Sequence, residues 1–185
     1  MPSSGKANRG PSAGPENRRA LVAAARTVFA AEGFAAPLSA IARTAGVGQG
    51  SLYRHFPDRM ALAVAVFDEN VSRLEELVDA PSTTLDDFLN RVIEQALVST
   101  AIIEMISLNR DDQRAARLAD RLSSILHRLL DREKEAGRIG SHVMTADVLL
   151  AVSMLAGELA RSPEGERAEV ARRAWSLFHS AFAPR

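Results

Sequence analysis

Along almost the whole chain, apolar residues recur at spacings of three and four, and alternation with a period of two is nearly missing. The pattern predicts an all-α protein of about nine helices. A first helix over about Asn17–Ala31 turns Leu21, Ala24, Ala25, Val28 and Phe29 inward; Gly33 stops it and Phe34 packs back. A short helix over Pro37–Ala45 puts Leu38, Ile41, Ala42 and Ala45 on one face, with Pro37 read as its first helical position. Gly46 ends it in the left-handed conformation that glycine adopts without a Cβ penalty. Another short helix, about Gln49–His55, has Leu52 and Phe56 as its buried pair. A long connector opens with Asp58 as N-cap and runs to about Asp79. Further helices are expected over Thr84–Ser99, Ala101–Leu108, Asn109–Ala136, Thr145–Ala160 and Arg167–Phe182.

Two helices around a glycine-bearing turn, the second small and studded with hydrogen-bond donors, form the layout of a DNA-reading helix-turn-helix. Pattern alone leaves a plain helical hairpin as an equal alternative. Charge shifts the balance. The net charge is zero, yet residues 1–60 hold eight Lys/Arg against three Asp/Glu, whereas the remaining 125 residues hold fifteen against twenty. A basic head on an acidic body suits phosphate binding. Residues 1–16 are rich in Pro, Gly and Ser and lack an apolar anchor, so a disordered tail is expected, with Lys6 and Arg9, continued by Arg18 and Arg19, as a candidate basic arm. The expected organisation is a tail over 1–16, a DNA-binding domain over 17–60 and a helical body over 61–185.

No uncharged apolar run reaches membrane-spanning length, and no signal-peptide core follows the N-terminal charges. Cysteine is absent, which excludes disulfides and thiolate metal sites and fits a cytoplasmic location. The histidines His55, His127, His142 and His179 form no i,i+4 pair, and neither a phosphate-cradling glycine loop nor a nucleophile elbow occurs. No catalytic residue, metal or cofactor is therefore expected, and the chain is not read as an enzyme.

The run AIARTAGVGQGSLYRHFPDRMAL resembles the N-terminal signature of the tetracycline-repressor (TetR) family of bacterial regulators. The resemblance covers about residues 17–67: a helix ending in F-x-x-x-G-F (Phe29 to Phe34), then IA-x-x-AGV (Ile41 to Val47), then LY-x-HF (Leu52 to Phe56). It implies a three-helix head followed by a ligand-binding and dimerisation body: a repressor that binds a palindromic double-stranded DNA operator as a homodimer and is released by a small-molecule effector. The alternative is a helical protein-interaction adaptor with a degenerate head, which would leave LYRHF and the basic bias unexplained.

Candidate contacts follow from chemistry and position. Gln49 and Ser51 stand where a recognition helix meets base edges, and a Gln amide can bond adenine in bidentate fashion. Tyr53 and His55 are candidate phosphate donors, and Arg43, Arg54 and Arg59 candidate Coulombic partners. Tyr53 packed on the connector and Arg54 merely solvated are the competing accounts. Gly48 and Gly50 keep side chains out of the way of a close approach. The family's helix-start Thr/Ser is replaced by Ala36 and Pro37, and a lysine common in the family by Arg59. The candidate effector pocket comprises Phe88, Val92, Met105, Leu122, Leu126 and Met154, all of which also suit plain core. The candidate dimer interface, on the apolar last two helices, comprises Val152, Leu155, Leu159, Trp175 and Phe178, with burial inside one chain as the competing account.

Overall fold

The computed structural model describes residues 14–95 and 111–185. The expected helix over 101–108, Met105 and most of the expected tail lie outside these residues. Among the described residues the protein is all-α, with eight α-helices.

Helix α1 (Gly14–Glu32) begins inside the segment expected as tail, where Pro15 and Glu16 suit a first turn. It ends at Gly33, whose φ of +78° reverses the chain. In α2 (Leu38–Thr44) Pro37 stands outside the helix as the cap residue, with φ −63° and ψ 135°. This corrects its expected place as the first helical residue. After α2, Gly46 has φ +64° and Val47 N donates to Ala42 O at 2.9 Å, so the turn is closed from within the backbone. Helix α3 spans Gln49–His55, and α4 spans Arg59–Asp79 with the Asp58 carboxylate accepting from Ala61 N at 2.6 Å. Helix α5 runs through residues 85–95, its start held by a reciprocal Thr84–Asp87 capping box. Helix α6 (Gln113–Glu135) is capped by Asp112, and Gly137 (φ +70°) turns the chain after it. Helices α7 (Thr145–Arg161) and α8 (Arg167–Phe182) pack against each other, and Gly140 N donates to Phe182 O at 2.8 Å to tie down the C-terminal end.

Two main hydrophobic clusters result. The first joins Leu21, Val22, Ala25 and Phe29 of α1 to Ile41 of α2, Leu52 of α3, Phe56, and Leu62, Ala63 and Val66 of α4. The second joins Val71, Leu74 and Val78 of α4 to Leu85, Phe88 and Leu89 of α5, Ile125, Leu126, Leu129 and Leu130 of α6, and Val148, Ala151 and Phe182. Fully burying each such large side chain stabilises the fold by about 1.5–3 kcal/mol. Helix α4 contributes to both clusters, and Phe67 packs against both, so the two share an unbroken helix without a linker. Polar ties run alongside: Arg26 meets Glu69 at 2.6 Å, Arg121 reaches Asp68, Ser72 and Glu75, and Arg132 donates to Val78 O at 2.8 Å. Among the described residues no helix is long and apolar enough to cross a membrane.

Candidate nucleic-acid interface

Helix α3 is short, so its geometry divides its residues sharply. Leu52 and Phe56, four apart, are 1% and 2% exposed and anchor the helix into the first cluster. That leaves two i,i+4 pairs facing water. Gln49 lies beside Tyr53, and Gly50 beside Arg54; all four are exposed, Tyr53 at 53%. About half of the Tyr53 surface is thus open to water. Ser51 and His55, the third such pair, are half-buried, with the His55 ring 6.4 Å from that of Phe56. Arg43 in the last turn of α2 and Gly48 before α3 are also exposed.

The two glycines around Gln49 are not required by the fold. Neither has a positive φ, and a Cβ built on Gly48 or Gly50 would meet nothing within 4 Å. Glycine inside a helix costs about 0.5–1 kcal/mol relative to alanine. Gly50 carries that cost in α3 with no compensating contact inside the chain.

Arg59 departs from expectation. Its Nη1 donates to the carbonyls of Phe34 and Ala36, and its guanidinium lies over the Phe34 ring, 5.4 Å from the centroid. The sequence reading placed it on a phosphate; the structure turns it inward, where it satisfies the carbonyls of the α1–α2 turn. Arg18, expected only as a continuation of a basic arm, stands nearby: its guanidinium lies 5.3 Å from the centroid of Phe56, at the end of α3. Its signal was the charge on the polar side of α1, together with the aromatic that closes LYRHF.

The body residues also sort differently from expectation. Phe88 and Leu126 are 1% and 0% exposed within the second cluster, with Val92 and Leu122 partly buried against it. Met154 is a correction: at 58% exposure it points away from that interior. A surface groove of about 650 Å³ lies between Asp86 and the outer side of α8, bordered by Arg172, Trp175, His179 and Ser180. None of the expected pocket residues borders it. Leu155 and Leu159, expected at a dimer interface, are 4% and 0% exposed and pack with Ala171, Ile93 and Phe178 of their own chain. Val152, Trp175 and Phe178 are partly buried against the body's second cluster. The large apolar residues that α7 and α8 do expose are Leu150 (60%), Met154 (58%) and Leu177 (72%).

A three-helix head presenting amide, phenol and guanidinium groups from one short helix, carried on a helical body, defines a DNA-binding regulator of the helix-turn-helix class. The comparisons with known proteins agree. Residues 21–66 match the family model described as bacterial regulatory proteins, tetR family. A TetR transcriptional regulator from Streptomyces coelicolor is 30% identical, covers 90% of this chain over 98% of its own, and superposes with a TM-score of 0.66. A TetR transcription regulatory protein from Mycobacterium vanbaalenii is 24% identical, with 93% and 98% of the two chains covered and a TM-score of 0.65. The fatty acid degradation regulator FadR from Bacillus halodurans shares the fold at 18% identity, with a TM-score of 0.63 over 90% of this chain and 96% of its own. No curated protein matches. The chain belongs to the TetR family and is a DNA-binding transcriptional regulator, not an enzyme.

Proposed function

We propose that this regulator is a repressor that binds a palindromic operator as a homodimer and is released by a small-molecule effector. The observation that carries the DNA contact is the outward face of α3. There, Gln49 and Tyr53 stand beside a helical glycine whose missing side chain serves no purpose within the chain. In the major groove, Gln49 reads a base edge, with adenine its best partner; Tyr53 and Arg54 hold phosphates, with Arg43 and Arg18 flanking. Gly48 and Gly50 let the backbone approach the groove floor. Half-buried Ser51 and His55 are left as edge contacts. In this reading residues 17–60 form the reading head and 61–185 the body.

Dimerisation is supported by the exposed apolar residues of α7 and α8, with Leu150, Met154 and Leu177 in the seam in place of Leu155 and Leu159. Two copies related by a twofold axis present two heads, which is why the operator is a palindrome. The effector reading is supported by Phe88, Val92, Leu122 and Leu126, which converge between α5 and α6, with Gln95 near Asn70 as a polar border. An effector that favours a different spacing of the heads shifts the population away from DNA.

Selection of bound duplexes from a random DNA pool tests the reading, followed by a salt titration of affinity on the enriched sequence. The expected result is a twofold-symmetric consensus with affinity falling steeply as salt rises, because several phosphate contacts release counterions. A pool that stays random, or an affinity indifferent to salt, would favour the adaptor.

A further inference from the structure

The N-terminus of α4 carries two adjacent charges committed to opposite sides. Asp58 caps α4 through Ala61 N, and both its carboxylate oxygens accept from Nη1 of Arg114 at 3.1 Å. Arg114 belongs to the body, in the first turn of α6. Its Nε and Nη2 reach the Asp112 carboxylate at 3.0 and 2.7 Å, and that same carboxylate caps α6 by accepting from Arg114 N at 2.8 Å. One guanidinium therefore bridges the N-caps of two helices. On the other side, Arg59 grips the carbonyls of Phe34 and Ala36, immediately before the helix-turn-helix. Asp112, Arg114 and Asp58 form a polar chain from the body to the N-cap of α4, and the peptide bond from Asp58 to Arg59 joins it to the grip on the Phe34 and Ala36 carbonyls in the reading head, beside the hydrophobic contact of α4 with α6.

We infer that Arg114 is a positioning residue for DNA reading: from the body, it restrains the tilt of the first turn of α4, and with it the head, in the orientation DNA requires. The inference rests on the head being the DNA-binding unit. The bridge is half-exposed, with side-chain exposures of 38% and 50%, so it adds little to overall stability. What it supplies is direction, because a carboxylate that caps one helix while held by the cap of another cannot move without losing one partner.

The test uses Arg114→Gln, Asp58→Asn and the double variant in the full chain. Asparagine caps a helix about as well as aspartate, so Asp58→Asn removes the bridge while keeping the cap. Affinity for the duplex enriched by the wild-type protein is measured beside the melting temperature. Each single variant is expected to bind about fivefold more weakly with its melting temperature nearly unchanged, and the double variant no more weakly than either single. Direct electrostatics gives a different pattern: Arg114→Gln weakens binding, but Asp58→Asn, which removes a negative charge, strengthens it. That pattern, or independent effects that multiply in the double variant, would overturn the inference.

A second readout needs no DNA. The chain has no native cysteine, so Ser39→Cys in the head and Ala119→Cys on α6 accept a pair of spin labels. Both bridge variants are expected to broaden the head-to-body distance distribution, and an unchanged width would sink the proposal. Should the wild type enrich no duplex while the distances still broaden, the DNA-reading assignment fails and the restraint stands.

Discussion

Two exposed surfaces of this protein differ in what they leave to water. Helix α3 exposes Gln49, Gly50, Tyr53 and Arg54, a patch of donors around an absent side chain. Helices α7 and α8 expose Leu150, Met154 and Leu177, groups that water solvates poorly. Each surface lies beside a well-packed cluster, so neither exposure reflects a shortage of core. The contrast shows that an exposed residue points to the chemistry of its partner. Donors and glycine suit a polyanion with readable edges, whereas a run of Leu and Met suits another apolar helix.

The comparison breaks most visibly at Leu150. Leu150→Arg places a charge in the proposed seam, at a cost of about 2–4 kcal/mol or more per interface if it is buried there. Sedimentation should show the dimer replaced by monomer, with operator binding lost and helicity retained. A variant that stays dimeric would move the interface elsewhere. On the other surface, Tyr53→Ala removes one hydrogen bond to a charged phosphate, worth about 1.5–3 kcal/mol, so affinity should fall roughly tenfold or more across all operator sequences. Its melting temperature should hardly move, since the residue is already 53% exposed. Unchanged gel-shift affinity would return Tyr53 to the solvated surface.

The smallest expected effect is the most diagnostic. Gly50→Ala should stabilise the fold by about 0.5–1 kcal/mol, because the helix gains a better former in open space. It should nonetheless weaken operator binding by at least a few-fold, as a methyl group intrudes on a close contact. Opposite signs in thermal unfolding and in DNA titration are the expected outcome. If both improve, Gly50 has no role at the DNA surface.

Much of the head was legible in the chain because its signals are local. The positive φ of Gly46, the Leu52 and Phe56 pair and the Asp58 cap all act within one or two turns of their own sequence, where spacing translates directly into geometry. Arg59 was misread for the opposite reason. Its acceptors, Phe34 O and Ala36 O, lie more than twenty residues back and meet it only once α1, α2 and α4 have packed. The phase of α7 was lost to composition. A helix apolar almost all round carries no stripe to show which side faces in, so Leu155 and Leu159 could not be told from Leu150 and Met154.

By itself the sequence determined the helical class, the turn that sets α2 against α3, and the type of partner the head addresses, because short-range periodicity, caps and charge are written in neighbouring residues. Only the tertiary structure decided which cations remain free for phosphate, which face of α7 is exposed, and that Arg114 bridges the caps of α4 and α6. Those outcomes depend on groups far apart in sequence, whose meeting is set by how the two clusters pack around α4 and not by any local pattern.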